Sequence, residues 1–480
     1  MQSQGEVRRT PALFPDAAAC RPAEALLAEL LDDLPLRIAG GPVMPTLDMA
    51  AFRAELAGFD FHTQQTLDTL IPWVVARLES GIVQITHPRY FGLFNPAPTY
   101  PAQVADRIVA AFNPQLATST TSPAAVALEA HVIRAVAARA GLPPETGGHF
   151  TTGGAEANFT ALICALTAAH PGFAQHGARS FAGAPVFYAS RESHLAWIKI
   201  AHQAGIGREA VRLVATDGEG RMRAAALAEA IAADRARGAV PVMVAATAGT
   251  TAAGMIDPLQ DCAAIARDAG CWFHVDAAWG GALIASERQR GVLAGIEQAD
   301  SLTIDAHKWF ATTMGCGMFF TRHPPVLSAA FQVSTGYMPS NVENVDPYVT
   351  SVQWSRRFLG LRLFLSLAAA GWEGYAAHVE RAVTLAALLG DRLRSRGWTI
   401  VNTSPLAVLC IVPPPGPADA ATIVRGVLAS GAAWISVATF EGRQVIRACI
   451  THGATTTDDV ARLVDALEAA RRGQPGHGVV

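Results

Sequence analysis

The sequence predicts an α/β protein with a mostly parallel central sheet, helices on both faces, and a smaller C-terminal α/β domain. Three observations carry this expectation. Between about residues 106 and 335, short apolar runs bounded by Gly, Pro or Asp alternate with helix-period segments, as successive strand–helix–strand units do. Hydrophobic residues make up 51% of the 480 positions and charged residues only 16%, so the chain can bury a large core and is not disordered. Polar residues suited to chemistry follow several of the apolar runs, and in open α/β sheets the carboxyl ends of strands are where ligands sit.

In chain order, residues 1–105 read as helical and proline-punctuated, with apolar helix periodicity in RPAEALLAELLDDL and around Thr63–Leu78. Residues 106–355 form the larger domain. Its strands are read from PVFYAS, VRLVAT, VMVAATAG, CWFHVDAA, SLTIDAHK and GCGMFFTR, and helical patterns such as AAALAEAIAADRARG and PLQDCAAIARDAG separate the earlier ones. The polar, aperiodic stretch 332–353 predicts a long loop, and loops of that length in compact enzymes are often functional. Residues 356–480 predict a long helix (about 356–396), four short strands and two further helices.

Composition excludes several functions. There are 37 basic against 40 acidic residues, a net charge of −3, with no excess to neutralise nucleic-acid phosphates or anionic lipid. Mean hydropathy is +0.25, yet the most apolar stretch, Leu359–Trp372, is interrupted by Arg362 and falls short of the about 20 residues a membrane span needs. The N-terminus, MQSQGEVRRTPALFPDAAAC, shows no apolar signal-peptide region. Seven scattered cysteines without a C-x-x-C pair indicate neither a disulfide framework nor a metal site. The expectation is a cytoplasmic protein that acts on a small molecule, with neither nucleic acid nor membrane as partner.

Of the 37 basic residues only Lys199 and Lys308 are lysine. Arginine replaces lysine wherever surface charge suffices, but not where the amine must lose its proton and attack. Lys308 ends the strand SLTID-AHK, 32 positions after Asp276, which ends CWFHVD. Gly153-Gly154-Ala155 precedes a helix beginning near Glu156, where a close backbone and free N–H groups suit an anion. An amine, a buried carboxylate and a phosphate cradle are together what pyridoxal 5'-phosphate requires.

The motifs then become specific. HPRYFGLFNPAPTYPAQVADRI, TSPAAVALE, TTGGAEANFTAL, SRESHLAW, AATAGTTAAGMIDPL, HVDAAWGG and DAHKW occur in this order. From about His87 to the C-terminal helix the chain resembles the group II pyridoxal-phosphate-dependent amino acid decarboxylases, which have the aspartate-aminotransferase-like fold (fold type I). The resemblance implies Lys308 as the Schiff-base lysine and Asp276 as partner of the pyridine nitrogen. It puts His194 stacked on the ring, Thr247 beside its phenolate oxygen, Ala278 on the opposite face, and Gly154, Ala155 and His307 at the phosphate. Tyr337, in the long loop, matches a proton donor to Cα, with Tyr348 as the alternative. Phe91, Phe94, Pro96 and Arg447 fall on the substrate side. A homodimer with shared active sites is also implied.

Two departures stand out. Ala155 replaces a hydroxyl residue of the phosphate segment, and Asp305 stands where animal members have Asn. A carboxylate beside a phosphate is unfavourable, so Asp305 is expected to point elsewhere or to cap a turn. The implied reaction is decarboxylation of an L-amino acid, aromatic favoured, to a primary amine. The rivals are oxidative deamination to an aldehyde on the same fold, and aminotransferase or lyase chemistry.

Overall fold

The structure is a computed structural model that describes residues 13–333 and 346–473. Four helices open the chain: α1 (Ala17–Asp32), α2 (Leu34–Gly40), α3 (Met49–Ala57) and α4 (Leu67–Gly81). Asp16 and Asp48 cap α1 and α3 by accepting backbone N–H groups, the usual role of Asp at a helix start. None of the four has a buried residue. Helices α5 (Tyr100–Phe112) and α6 (Pro123–Arg139) follow, and they pack together through Ala105, Val109, Ala125, Phe358 and Leu361. Helix α5 thus runs across the expected domain boundary at residue 105.

The large domain is built on β1 (Gly147–Thr151), β2 (Pro185–Ser190), β3 (Val211–Val214), β4 (Val240–Thr247), β5 (Trp272–Asp276), β6 (Ser301–Asp305) and β7 (Gly317–Thr321). Their spatial order is β1-β7-β6-β5-β4-β2-β3. Strands β6, β5, β4, β2 and β3 pair in parallel, while β7 runs antiparallel to both β6 and β1. The sheet is therefore mostly parallel, as predicted. Strand β1 has no counterpart among the predicted strands, because its Gly147-Gly148 start lacks a β-branched signal.

Alternation along the strands assigns the two faces. Phe187, Ala189, Met243, Ala245, Trp272 and Phe319 face a layer formed by α7 (Gly154–Ala169), α9 (Ala196–Gln203) and α12 (Pro325–Phe331), with the short α8 (Phe173–His176) at its margin. Val186, Tyr188, Val244, Phe273, Val275, Leu302, Ile304 and Phe320 face the other layer, of α6, α10 (Ala224–Ala236), α11 (Leu259–Asp268) and α13 (Gly360–Arg394). By the same alternation His274 and Asp276 lie on the α7 side of β5, and Ser301, Thr303 and Asp305 on that side of β6. A polar strip under α7 thus runs through an otherwise apolar sheet.

Helix α13 kinks at Gly371, where φ is +64°, and carries the chain into the smaller domain. There β8 (Thr399–Ile400), β9 (Val408–Val412), β10 (Ser436–Phe440) and β11 (Arg443–Cys449) form an antiparallel sheet in the order β10-β11-β9-β8. Helices α14 (Ala420–Ala429) and α15 (Thr457–Arg471) pack on it, the latter started by a Thr456–Asp459 capping box. Among the described residues no helix is long and apolar enough to cross a membrane.

The start of α13 depends on one acid. Glu129, on α6, pairs with Arg356 and accepts the N–H groups of Leu359 (3.0 Å) and Gly360 (2.9 Å). Both members of the pair are almost wholly buried. Arg362, which interrupts the most apolar run, is likewise held by Asp106 at 2.8 Å and by the Met314 carbonyl at 3.0 Å. Removing one partner of a buried pair leaves a charge without compensation. Glu129→Ala is expected to destabilise the fold by about 3–5 kcal/mol, read as a lower urea midpoint at unchanged slope.

Candidate active site

The carboxyl ends of β4, β5 and β6 and the start of α7 enclose a cleft with about 470 Å³ of empty space. Parallel pairing sets Thr247 beside Asp276 and Asp276 beside Thr303, so the polar ends of three strands lie side by side. Gly154, Ala155, His194, Thr247, Asp276, Ala278 and Lys308 all line the cleft, with Phe94 and Asp305. Residues spread over more than 200 positions meet here because the strands converge.

Asp276 is 5% exposed and accepts hydrogen bonds from Asn158 Nδ2 (2.8 Å) and the Ala278 amide (3.1 Å). Among the described residues no basic side chain pairs with it. The Thr247 hydroxyl is buried in the cleft wall without a partner. His194 Nδ1 accepts the Ala196 amide at 3.1 Å, which puts the proton of a neutral ring on Nε2. Gly153 is the N-cap of α7 with no side-chain cap, so the Gly154 and Ala155 amides head the helix as free donors. A Cβ at Gly154 would lie 2.8 Å from Asp305 Oδ2 and 3.3 Å from Ala278 Cβ; only glycine permits this approach.

These features fit pyridoxal phosphate. An uncompensated buried carboxylate suits a pyridinium nitrogen, an orphaned hydroxyl suits a ring oxygen, and the uncapped helix start suits a phosphate. Lys308 Nζ, on a side chain 21% exposed, is the amine within the same cleft.

Several residues sit differently from expectation. Asp305 does not point elsewhere. Its carboxylate is 2% exposed, lines the cleft and pairs with Lys308 Nζ at 3.1 Å, while Oδ1 has no partner. The α7-facing parity of β6 directs it inward, beside the amine that offsets its charge. His307 lies just behind the cleft: its ring Nδ1 accepts the Cys316 amide (3.2 Å), and its Cε1 would lie 3.5 Å from a Cβ at Gly153. Phe91 and Pro96 are buried outside the lining. Phe91 joins the small domain, its amide donating to the Trp434 carbonyl (2.8 Å) and its carbonyl accepting from Cys449 (2.9 Å). Tyr348 is buried against Trp354, with ring centroids 4.9 Å apart, and does not line the cleft. Tyr337 lies outside the described residues.

Arg447 is 3% exposed and makes no ion pair among the described residues. It donates to the Gly92 carbonyl (2.6 Å) and the Thr251 carbonyl (2.9 Å), and its guanidinium lies 4.6 Å from the Phe94 ring centre. Its remaining nitrogen, Nη2, has no partner. Phe94 stacks on Trp279 (4.2 Å, 24°), which stacks on Trp309 (5.4 Å, 22°). This aromatic wall and the Asn158 contact to Asp276 were absent from the sequence reading. The spacing of TTGGAEANFTAL does hold a signal for Asn158, since it falls one turn into the helix whose start carries the phosphate segment.

Comparison with known proteins agrees with this geometry. Residues 59–410 match the pyridoxal-dependent decarboxylase conserved domain, and the chain belongs to that family. It is 27% identical over 470 residues to tryptophan decarboxylase 2 of Oryza sativa, covering 94% of this chain and 93% of that protein. With the L-2,4-diaminobutyrate decarboxylase of Rhizobium meliloti it shares 30% identity over 411 residues, 83% of this chain and 81% of the other. The crystal structure of Oryza sativa TDC with PLP and tryptamine superposes with a TM-score of 0.89 at 24% identity, covering 96% and 99% of the two chains. The protein is a pyridoxal-phosphate-dependent carboxy-lyase of fold type I.

Thr247 is itself held from below. Asp257 accepts the Thr247 amide (2.8 Å) and the Met222 amide (2.7 Å). Burial is the main influence on its carboxyl and pushes it up to about 6 from an ordinary 3.8, against those two donors. Folding therefore favours the protonated acid: its contribution is fully present below the unfolded-chain value and is lost as pH rises through about 6. Asp257→Asn does not titrate. The stability of the native protein relative to this variant is expected to fall between about pH 4 and pH 6.5, from the unfolded-chain value of 3.8 to the folded value of about 6, measured by urea unfolding; a flat difference contradicts the assignment.

Proposed function

We propose that the enzyme decarboxylates an L-amino acid with an aromatic side chain to the corresponding primary amine. The observation that carries this reading is the Phe94–Trp279 stack facing the cleft, backed by Trp309, a flat apolar surface suited to an aromatic ring. When bound, pyridoxal phosphate supplies the electron sink for the pair left on Cα as CO₂ departs.

The chain's own groups do the rest. The α7 N-terminus, backed by His307, would hold the phosphate end, Asp276 would keep a proton at the pyridine nitrogen, and Thr247 would donate to the ring oxygen. His194 covers one ring face and Ala278 the other. Lys308 would anchor the cofactor through its amine, and Asp305, 3.1 Å away, would hold that amine when it is free. Phe94 and Trp279 exclude water from the reacting carbon, while Arg447 braces Phe94 from behind. Tyr337 is the proposed acid that protonates Cα, since Tyr348 packs against Trp354 instead.

A second substrate reading rests on the unpartnered Nη2 of buried Arg447, which suits a distal carboxylate. A substrate panel separates the two. Evolved CO₂ is expected from L-tryptophan, L-tyrosine or L-DOPA in the wild type and not in Lys308→Ala. Phe94→Ala is expected to lower kcat/KM for that substrate about tenfold. CO₂ from aspartate or glutamate alone shifts the assignment to the Arg447 reading; an aldehyde product instead of the amine contradicts both.

A homodimer is part of the same proposal. Helices α1 to α4 carry no buried residue, and Phe14, Leu36, Phe61 and Leu67 are more than half exposed on this segment. Helices with an apolar stripe bury it against something. Light scattering in solution is expected to give twice the chain mass of 50.4 kDa.

A further inference from the structure

Behind the cleft, the polar strip under α7 forms a continuous hydrogen-bonded row. Trp272 Nε1 donates to Ser301 Oγ at 2.8 Å. Ser301 Oγ is 2.8 Å from His274 Nδ1, and His274 Nε2 is 3.0 Å from Asn158 Oδ1. Asn158 Nδ2 then donates to Asp276 Oδ2 at 2.8 Å. His274 is fully buried and Ser301 and Asn158 nearly so. Water does not reach these groups to share their hydrogen bonds.

The two ends of the row fix the direction of every bond between them. An indole N–H only donates, and an ionised carboxylate only accepts. Asn158 must turn its amide nitrogen to Asp276, because its oxygen there would face another acceptor. Its oxygen then faces His274, so Nε2 carries the ring proton. A neutral ring has a bare Nδ1, which accepts from the Ser301 hydroxyl, and the hydroxyl oxygen accepts from Trp272. The charge state agrees: burial pushes the His274 imidazole down to about 4, despite the opposing pull of Asp276, so it is neutral at physiological pH. Four donors point the same way and end on one carboxylate oxygen.

We propose that Trp272, Ser301, His274 and Asn158 form a one-way hydrogen-bond relay that orients and polarises Asp276 toward the pyridine nitrogen of the cofactor, with His274 as its central positioning residue in a single tautomer. Bonds in series strengthen one another in a low-dielectric interior. The relay also explains two features that packing alone leaves unaccounted for. A histidine occupies a fully buried position on an apolar strand, and parallel register sets Ser301 directly beside it. Trp197 closes the site, its ring edge-on to His274 at 5.7 Å. Trp272, Ser301 and His274 do not line the cleft, so they act through Asn158, Asp276 and the cofactor. The inference rests on the cofactor and not on the identity of the amino acid substrate.

Two measurements on the holoenzyme test it without substrate. In ¹⁵N-imidazole spectra, with His274→Gln used for assignment, His274 is expected to show a protonated Nε2 and a bare Nδ1; the opposite tautomer, or an imidazolium at neutral pH, overturns the relay. This measurement does not depend on any variant folding in good yield beyond the one that assigns the peak. The second compares pyridoxal-phosphate dissociation constants and bound-cofactor absorbance. His274→Phe fills similar space without hydrogen bonds, and it is expected to bind about tenfold more weakly and to alter the absorbance band. His274→Gln can donate to Asn158 and accept from Ser301, and it is expected to recover most of the loss. Equal dissociation constants for the Phe and Gln variants, with cofactor-free forms that melt like the wild type, also overturn the relay. A wild type that binds no cofactor would instead sink the cofactor assignment itself.

Discussion

A buried carboxylate that no cation among the described residues pairs with is the constraint on which the rest of the large domain depends. Asp276 ends β5 at the centre of the sheet, 5% exposed. An isolated charge there would be too costly to retain. The fold resolves this in two ways. It brings N–H donors onto the carboxylate from Asn158 and Ala278, and it leaves the cleft side open for a positively charged ring nitrogen. The α7 face of β5 and β6 is polar for this reason, while the opposite face remains apolar. The close approach of Gly154 to Asp305 and Ala278 follows too, since α7 must lie near the strand ends to serve both Asp276 and a phosphate.

Much of this was legible in the sequence. The parallel strands showed as apolar runs bounded by turn residues, and Asp276 and Lys308 were visible as polar residues ending such runs. What escaped was geometry that needs two elements at once. CWFHVD and SLTID each alternate polar with apolar residues, but only their register puts Ser301 beside His274. Asp305 was expected to turn away from the phosphate; strand parity directs it inward, and Lys308 makes that tolerable. Phe91 was expected on the substrate side because Tyr90–Pro96 is rich in aromatic and apolar residues. Its backbone instead stitches the N-terminal segment to the small domain, leaving Phe94 to face the cleft.

The small domain contributes to the site by bracing it. Arg447, on β11, ties the carbonyls of Gly92 and Thr251 together and lies against Phe94. One guanidinium thus links three segments distant in sequence. Its planar fork suits that task, which a lysine could not perform with the same geometry. Glu129 does similar work at the start of α13 with Arg356. Both structural cations are arginines.

That preference has a practical side. Pyridoxal phosphate is a free aldehyde before it is bound, and aldehydes condense with any accessible unprotonated amine. Besides Lys308 in the cleft, the only side-chain amine of this chain is Lys199, exposed on α9, which leaves it and the α-amine as sites for stray adducts. An arginine-coated surface is almost inert toward the coenzyme, so stray adducts have nearly nowhere to form. Reduction with borohydride should therefore tag the protein close to stoichiometrically, an unusually clean handle for counting filled sites.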